Sequence, residues 1–265
     1  MALFDIFIRS ELERLINLSD NKVRDEFHLG QVVGEDDYTS NLTLRIRSEI
    51  MRCLPLQVTA FSQKLPPTLE RKWGVDACII LIDNNSKEYK ICLFEAKENK
   101  NSWDYKQKNK KTSLSHFSTQ LHRQTIPNKL GYVVWEQFYS RAPNGNSIGR
   151  TNLNGSTCIL HNIAHTHKGV HPNHNVWSMN DVDYLASIQS FLPKTMGGLV
   201  KTVCECRVGV ARSMMELDTF LKSEIPAKHL LFLEGGINNS SEQNLISYAD
   251  SYIKNHPKHL NLAIY

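Results

Sequence analysis

The clearest hydrophobic pattern lies between Gly74 and Lys97, where two apolar runs rich in Ile, Leu and Val flank a polar cluster. The cluster, residues 83–87, consists of Asp, Asn, Asn, Ser and Lys, and such residues favour turns. Apolar runs on both sides of a turn-forming cluster predict a β-hairpin. We therefore expect two neighbouring antiparallel strands in this part of the chain.

The position of the turn decides which residues of the hairpin face each other. With the turn centred between Asn85 and Ser86, Asp76 lies opposite Glu95. Side chains alternate along a strand, so Lys97, two residues beyond Glu95, projects from the same face. Two carboxylates and one ammonium thus converge on one patch of an otherwise apolar hairpin.

Helical spacing of apolar residues predicts two helices before the hairpin. The first is an amphipathic helix over Leu3–Leu18. The second begins near Glu35, where acidic residues suit the helix dipole, and ends at Leu54-Pro55. At about 100° per residue, Glu35 and Glu49 both fall on the apolar stripe of this second helix.

The elements around and after the hairpin predict the fold class. Leu56–Phe61 has weak strand character, Ser113–Gln124 is typical of a helix that Pro127 stops, and Leu130–Tyr139 is typical of a strand. With the weak segment counted as a strand, the order from Glu35 onward is helix, three strands, helix, strand. Strands that alternate with helices predict an α/β fold.

Beyond a loop at Ser140–Arg150, the remaining chain predicts further strands and helices. In chain order these are a strand at Ser156–His161, a helix at Asn180–Phe191, a strand at Leu199–Val210, a helix at Met214–Ser223, a strand at Leu230–Glu234 and a final helix to about Lys254. We expect this half of the chain to extend the sheet.

Composition and charge limit the function only weakly. The 265 residues can hold one large domain or two small ones, and the apolar and charged fractions (41% and 22%) are ordinary for a globular protein. We expect no signal peptide, because acidic residues interrupt the apolar N-terminal stretch and it has no small-residue cleavage pattern. We also expect no membrane span, because no apolar run approaches the roughly 20 residues that cross a bilayer. A net charge of +4 permits nucleic-acid binding without requiring it.

The charged patch on the hairpin suits metal and phosphate chemistry. A buried charge is costly unless it is paired or holds a metal, and Mg²⁺ takes one or two carboxylates plus water and phosphate oxygens. Asp76 and Glu95 supply such carboxylates, while Lys97 could orient a water or stabilise charge on a phosphate. The alternative is a solvated Glu95–Lys97 pair on an edge strand, although Phe94 and Ala96 favour a buried strand.

On these residues the chain resembles the PD-(D/E)XK nuclease superfamily, whose signature is an Asp on one strand and Glu or Asp, any residue and Lys on the next. The matching residues are Asp76 and Glu95-Ala96-Lys97, and Val75 stands where the signature has Pro. The resemblance implies a restriction-endonuclease-like αβββαβ core, with a mixed central sheet flanked by helices. It also implies Mg²⁺ as cofactor, with Mn²⁺ as a substitute.

The resemblance further implies one domain over residues 1–265, with a catalytic core at about 30–140. The N-terminal helix 3–18 and an α/β elaboration at 150–265 would then be peripheral. In this superfamily the helix before the Asp strand often adds an acidic metal ligand, for which Glu35 is the first candidate and Glu49 the alternate. A polar residue on the helix after the second strand often reaches the site, and Gln120 is its match.

A basic segment follows the hairpin directly. Its candidate contacts to a nucleic-acid backbone and bases are Lys100, Trp103, Lys106, Lys108, Lys110 and Lys111, with Tyr105 as a further aromatic residue. A lysine-rich stretch is also typical of a solvated loop, and this alternative stays open.

Histidines and cysteines give a weaker signal. The histidine-rich stretch 161–174 has spacings that could hold zinc with Cys158, or with Cys204 and Cys206. There is no C-x-x-C pair, so we expect a His- and Asn-rich loop facing DNA or solvent rather than structural zinc. The six cysteines lie mostly in predicted strands, which favours reduced thiols in a cytoplasmic protein.

Taken together, the resemblance implies a Mg²⁺-dependent DNA endonuclease of restriction or defence type, in which the second half of the chain supplies DNA-recognition surface. Enzymes of that type commonly act as homodimers. Two alternatives remain: a repair or structure-specific nuclease of the same superfamily, and a non-catalytic nucleic-acid-binding protein on a nuclease-like scaffold. Fold-level analogy does not decide between these substrates and partners.

Overall fold

The computed structural model describes residues 2–65, 72–106, 114–140, 155–168, 175–222, 227–236 and 245–246. The helices in these stretches are α1 (Ile6–His28), α2 (Glu35–Cys53), α3 (His116–Lys129), α4 (His161–Lys168), α5 (Met179–Ile188), α6 (Met196–Cys204) and α7 (Leu217–Lys222). The strands are β1 (Val58–Lys64), β2 (Ala77–Asp83), β3 (Glu88–Glu98), β4 (Val133–Tyr139), β5 (Thr157–Leu160), β6 (Arg212–Ser213) and β7 (His229–Gly235).

A mixed, open sheet forms the centre of the fold, with the strand order β1-β7-β2-β3-β4-β5 and the short β6 paired to β3. Strands β2 and β3 are antiparallel, whereas β7 runs parallel to β2 and β4 runs parallel to β3. Apolar residues of α1, α2 and α6 pack on one face, and those of α3, α4, α5 and α7 pack on the other. The α/β class, with a mixed sheet flanked by helices, is confirmed.

The predicted hairpin and its register are also confirmed. Ala77 pairs with Phe94, and the chain turns between the end of β2 at Asp83 and the start of β3 at Glu88. Asp76 lies just before β2, and its backbone N donates a hydrogen bond to Phe94 O (2.9 Å), the residue that already pairs with Ala77. The chain therefore leaves the regular register at Asp76, and the expected pairing of Asp76 with Glu95 stays a prediction. Turn chemistry and side-chain alternation are local properties, which is why the sequence was sufficient for the register of β2 and β3.

Two helices are longer than predicted. Helix α1 continues to His28 rather than ending at Leu18, because its second half buries polar residues such as Asp20 and Arg24 that interrupt the apolar pattern. Helix α3 passes Pro127 and ends at Lys129. Pro127 lies in the last turn, where its missing N–H removes only one intrahelical bond.

The predicted strand at Leu199–Val210 is wrong, because Met196–Cys204 forms helix α6. The Thr195 side chain caps the helix by accepting a hydrogen bond from Gly198 N. A Cβ on Gly197 would lie 2.1 Å from Glu13 O in α1, so glycine allows the two helices to approach closely. Tertiary packing therefore overrides the strand preference of the β-branched residues.

The histidine-rich stretch was predicted to be a loop, but residues 161–168 form helix α4; residues 169–174 lie outside the described part of the chain. The other predicted C-terminal elements are confirmed within a few residues as β5, α5, α7 and β7. The final helix to about Lys254 lies outside the described residues apart from 245–246. Among the helices that the structure describes, none is long and apolar enough to cross a membrane.

Candidate active site

Asp76 is held in place by backbone groups of two neighbouring strands. Its Oδ2 accepts a hydrogen bond from Ala96 N on β3 at 2.9 Å. Its carbonyl oxygen accepts from the backbone N of Lys228 (2.9 Å) and of His229 (3.0 Å), where β7 begins. The side chain is buried, and both its carboxylate and its main chain are fixed at one end of the sheet.

Glu95 and Lys97 form a buried ion pair on β3, with Lys97 Nζ 3.0 Å from Glu95 Oε1. The solvated edge-strand alternative is wrong, because β3 lies between β2 and β4. Burial by itself lowers the pKa of Lys97, but the charges of Glu95, Glu35 and Asp76 raise this pKa above its ordinary value. The ammonium therefore stays charged at neutral pH, and all three predicted carboxylates act on it.

Glu35 is the first residue of α2 and lies beside the end of β3. Its side chain is exposed, and its Oε1 accepts a hydrogen bond from Glu98 N at 3.4 Å. The contact with Glu98 and the effect of the Glu35 charge on the pKa of Lys97 place Glu35 at the solvent edge of the cluster formed by Asp76, Glu95 and Lys97. The structure thus brings Glu35 to the site, while its role as a metal ligand stays a prediction.

Glu49, the alternate to Glu35, lies elsewhere. Its carboxylate pairs with Lys22 on α1 at 2.8 Å and with Arg52 on its own helix. Hydrogen bonds from these two cations lower the pKa of Glu49 to about 2. At 1.5 Å per residue, Glu49 lies roughly 21 Å along α2 from Glu35, so it joins α1 to α2 instead of reaching the site.

Gln120 reaches the site from α3, as predicted. Its Nε2 donates a hydrogen bond to Glu95 Oε1, the same oxygen that Lys97 contacts. The side chain is buried, and its Oε1 has no hydrogen-bond partner among the described residues. Because a carboxylate oxygen only accepts hydrogen bonds, the amide nitrogen must face Glu95, which leaves the amide oxygen as the unsatisfied atom.

Glu136 is a fourth carboxyl group beside the site that sequence analysis did not identify. It lies on β4 next to Glu95 in the parallel register, and its side chain is fully buried. Gln124, one turn after Gln120 on α3, donates to Glu136 Oε2 at 3.3 Å, whereas Glu136 Oε1 has no hydrogen-bond partner among the described residues. Burial and the charge of Glu95 raise the pKa of Glu136 to about 8.

His161 connects this part of the site to the second half of the chain. Gln124 Nε2 also donates to Gly74 O at 2.8 Å, so the Gln124 Oε1 is left to accept a hydrogen bond from His161 Nδ1 at 3.1 Å. Burial, with a smaller contribution from His165, lowers the pKa of His161 to about 3. The neutral ring therefore orients Gln124, which in turn contacts Glu136.

The raised pKa of Glu136 predicts a pH-dependent stability. Between pH 4.5, which is the ordinary pKa of a glutamate, and about pH 8, residue 136 has lost its proton in the unfolded chain but retains it in the folded chain. The stability from this group is therefore complete below about pH 4.5 and is lost as pH rises through about 8. The loss is at most about 1.4 kcal/mol per pH unit, and Glu136→Gln, which cannot ionise, should abolish it.

Urea unfolding, monitored by circular dichroism across this pH range, measures the difference in the free energy of unfolding between wild type and Glu136→Gln. Groups that titrate in both proteins cancel, so the free energy of unfolding of Glu136→Gln should fall less with pH than that of wild type. Glu216→Gln, at an exposed carboxylate, is the matched control and should follow wild type. Parallel curves for wild type and Glu136→Gln would contradict an elevated pKa at this residue.

The basic segment after β3 is described only up to Lys106. Lys100 is exposed and pairs with Glu98 at 2.5 Å, and Lys106 is exposed beside its bridge partner Ser115. Lys108, Lys110 and Lys111 lie outside the described residues.

The aromatic residues of this segment differ in their surroundings. The Trp103 ring packs edge-on against Phe117 (5.0 Å) and Phe138 (5.2 Å), so most of it belongs to the apolar core beneath α3. Tyr105 is exposed and stacks on His116 at 4.7 Å. For stacking on a nucleobase, Tyr105 is better placed than the predicted Trp103.

The donor set at the site fits a hard divalent cation in its chemistry. Asp76 and Glu95 are buried carboxylates on facing strands, and the buried Gln120 Oε1 beside them lacks a hydrogen-bond partner among the described residues. Mg²⁺ commonly binds one or two carboxylates together with neutral oxygens and water. Within the described residues, no group of three or more His, Cys, Asp or Glu side chains could hold a metal ion. Asp76, Glu95 and Glu35 are therefore not gathered around one point.

Comparison with family models, curated proteins and solved structures finds no match to this chain. The function is therefore inferred from the residues and geometry of the site itself.

Proposed function

We propose that this protein is a Mg²⁺-dependent phosphodiesterase that cleaves DNA. The observation that carries the proposal is the buried Lys97, which contacts Glu95 directly and is acted on by the charges of Asp76 and Glu35. A cation among several carboxylates at one end of a sheet suits a reaction in which a phosphate and a metal ion meet. The residues involved are those that the signature resemblance implies.

Asp76 and Glu95 would hold the cation, with Glu35 at the solvent edge of the group. A bound Mg²⁺ lowers the pKa of a coordinated water and offsets the negative charge of the phosphate. Backbone hydrogen bonds to Asp76 and the Gln120 amide on Glu95 hold the two carboxylates in defined positions. Such fixed ligands avoid reorganisation when substrate binds.

Lys97 acts as an electrostatic group and not as a base. Its raised pKa keeps the amine protonated at neutral pH, so it has no lone pair to accept a proton. A buried ammonium can donate hydrogen bonds to a phosphate oxygen or hold a water in place for attack. Because it lies in a low-dielectric environment, its charge stabilises a developing negative charge more strongly than it would in water.

Lys100 and Lys106 support a nucleic acid as the substrate. Both are exposed and lie on the segment that leaves the site directly after β3. Lysine side chains that follow a phosphate-processing site can neutralise neighbouring phosphates of the backbone. We propose duplex DNA cut by an endonuclease of restriction or defence type that acts as a homodimer; the dimer and the biological role rest on the resemblance.

The proposal predicts cleavage that requires a divalent metal. Wild-type protein should cut DNA in the presence of Mg²⁺ or Mn²⁺ and leave it intact when the metal is removed with EDTA, because the carboxylates alone cannot activate water or offset the phosphate charge. Gel electrophoresis of supercoiled plasmid, linear duplex, single-stranded and branched DNA measures this. Readdition of metal to the EDTA sample is the control.

The substrate panel separates the alternatives. Discrete fragments from plasmid indicate a sequence-specific endonuclease, whereas cleavage only at branches, ends or lesions indicates a structure-specific or repair nuclease. If every DNA remains intact with both metals, the proposed activity is wrong. DNA binding without cleavage, measured by a mobility shift, would then favour a non-catalytic nucleic-acid-binding protein.

A further inference from the structure

Three buried carboxyl side chains lie on neighbouring segments of the sheet. The carboxylate of Asp76, just before β2, accepts a hydrogen bond from Ala96 N on β3, and Glu95 on β3 pairs in register with Glu136 on β4. Adjacent strands are about 4.8 Å apart, and residues in register point to the same face. All three are buried, with relative exposures of 8%, 4% and 0%. The resemblance assigns a role to the first two carboxylates and none to Glu136.

Two oxygen atoms beside the Glu95–Glu136 pair have unsatisfied hydrogen-bonding capacity. Within the described residues, neither Gln120 Oε1 nor Glu136 Oε1 has a hydrogen-bond partner, although both side chains are at least nine-tenths buried. Buried polar atoms of this kind are costly unless a water or an ion satisfies them. Gln120 Oε1 shares an amide group with the nitrogen that contacts Glu95, so it lies next to that carboxylate.

Helix α3 presents one glutamine to each of the two glutamates. Gln120 donates to Glu95 and Gln124 donates to Glu136, one helical turn apart. The Gln124 amide is fully engaged, because its oxygen contacts His161 and its nitrogen contacts both Gly74 and Glu136. The Gln120 amide oxygen is the one that remains available to a ligand between the helix and the strands.

We propose that Glu95 and Glu136, together with the amide oxygen of Gln120, bind a divalent cation of the Mg²⁺ or Mn²⁺ class. Two carboxylates and a neutral amide oxygen are the ligand types that such hard cations prefer. Glu136 is then the second carboxylate ligand beside Glu95, and the Gln120 amide supplies a neutral oxygen. The inference deepens the proposed function, on which it rests for the use of the ion, but binding of the cation can be tested without DNA.

The test measures Mn²⁺ binding to the full chain at neutral pH. Binding is detected as a loss of the free Mn²⁺ signal in electron paramagnetic resonance. Glu136 must release its proton to bind the ion. Glu136→Gln keeps the shape of the side chain and removes this carboxylate, so the affinity for Mn²⁺ should fall at least about tenfold. Gln120→Met, which keeps the length and removes the amide oxygen, should also weaken binding. It serves as the second variant if Glu136→Gln does not fold.

Glu234→Gln is the matched control, because Glu234 is also a buried strand carboxyl but lies on β7 beside Ile82, near the far end of β2 from Asp76. It should bind Mn²⁺ like wild type. Two results overturn the inference: wild type that binds no Mn²⁺ at millimolar concentration, and Glu136→Gln that folds and binds Mn²⁺ with wild-type affinity. In the second case Glu136 is only a buried neutral acid.

DNA cleavage by the same proteins separates this inference from the proposed function. If Mn²⁺ binding depends on Glu136 and no DNA is cut, the cation site stands and the nuclease proposal fails. If wild type cuts DNA with metal and Glu136→Gln retains both Mn²⁺ affinity and cleavage, the nuclease proposal stands and the role of Glu136 fails.

Discussion

Replacement of Asp76 by asparagine is expected to abolish metal-dependent DNA cleavage while the fold is retained. Asparagine has nearly the same shape, and its side-chain oxygen can still accept the hydrogen bond from Ala96 N. The backbone bonds from Lys228 and His229 to the carbonyl of residue 76 are unaffected. The substitution therefore removes one negative charge and little else, so a loss of cleavage reports the need for an anionic ligand.

Cleavage should be measured over long incubations with Mg²⁺ and Mn²⁺, together with thermal unfolding to verify the fold. Asp218→Asn is the matched control, because Asp218 is an exposed residue of α7 whose carboxylate forms a surface ion pair with Lys222. Wild-type rates are expected for this control. An Asp76→Asn protein that cuts DNA as fast as wild type would exclude Asp76 from the mechanism.

Replacement of Asp20 by alanine is expected to lower the free energy of unfolding by about 4 kcal/mol. Asp20 lies beneath the sheet, almost fully buried in α1. Its carboxylate accepts hydrogen bonds from Tyr38 OH (2.8 Å), from Ser156 N and Oγ (2.6 Å each) and, at 3.4 Å, from Gln137 Nε2. Alanine leaves these buried donors without that acceptor and also creates a cavity.

Part of this loss is offset, because the alanine variant no longer has the cost of burying a carboxylate. That cost is seen in the pKa of Asp20, which burial raises despite the hydrogen bonds that the carboxylate accepts. Urea or thermal unfolding measures the net change. Asp25→Ala, at an exposed residue of the same helix, controls for the alanine substitution and should change stability little. Equal stability of the two variants would show that the Asp20 cluster contributes nothing net to the fold.

Local patterns predicted the candidate site well where neighbouring residues decide the geometry. The register of β2 and β3 follows from the turn between them, and the helix start at Glu35 follows from glycine and acidic residues in sequence. The prediction of Gln120 on the facing side of α3 also agrees with its contact to Glu95. In each case a short stretch of chain contains the determining residues.

Other parts of the site depend on contacts between distant segments. Glu49 lies on the core-facing side of α2, as its helical spacing predicted. However, it pairs with Lys22 from α1, and its distance from Glu35 along α2 keeps it away from the site. Glu136 lies in a strand that sequence analysis identified, yet nothing local indicates that it pairs with Glu95. Its one signal was a charged residue inside an apolar strand, the same signal that identified Glu95.

The sequence by itself determined the hairpin, its register, the α/β class and the residues that resemble the nuclease signature, because turn chemistry and side-chain periodicity act over a few residues. Only the tertiary structure decided that β7 lies between β1 and β2, that α6 is a helix packed against α1, and that Glu136 stands beside Glu95. Pairing between distant strands and close packing between helices are set by the whole chain. For that reason the fourth carboxyl group of the site emerged from the fold and not from the signature.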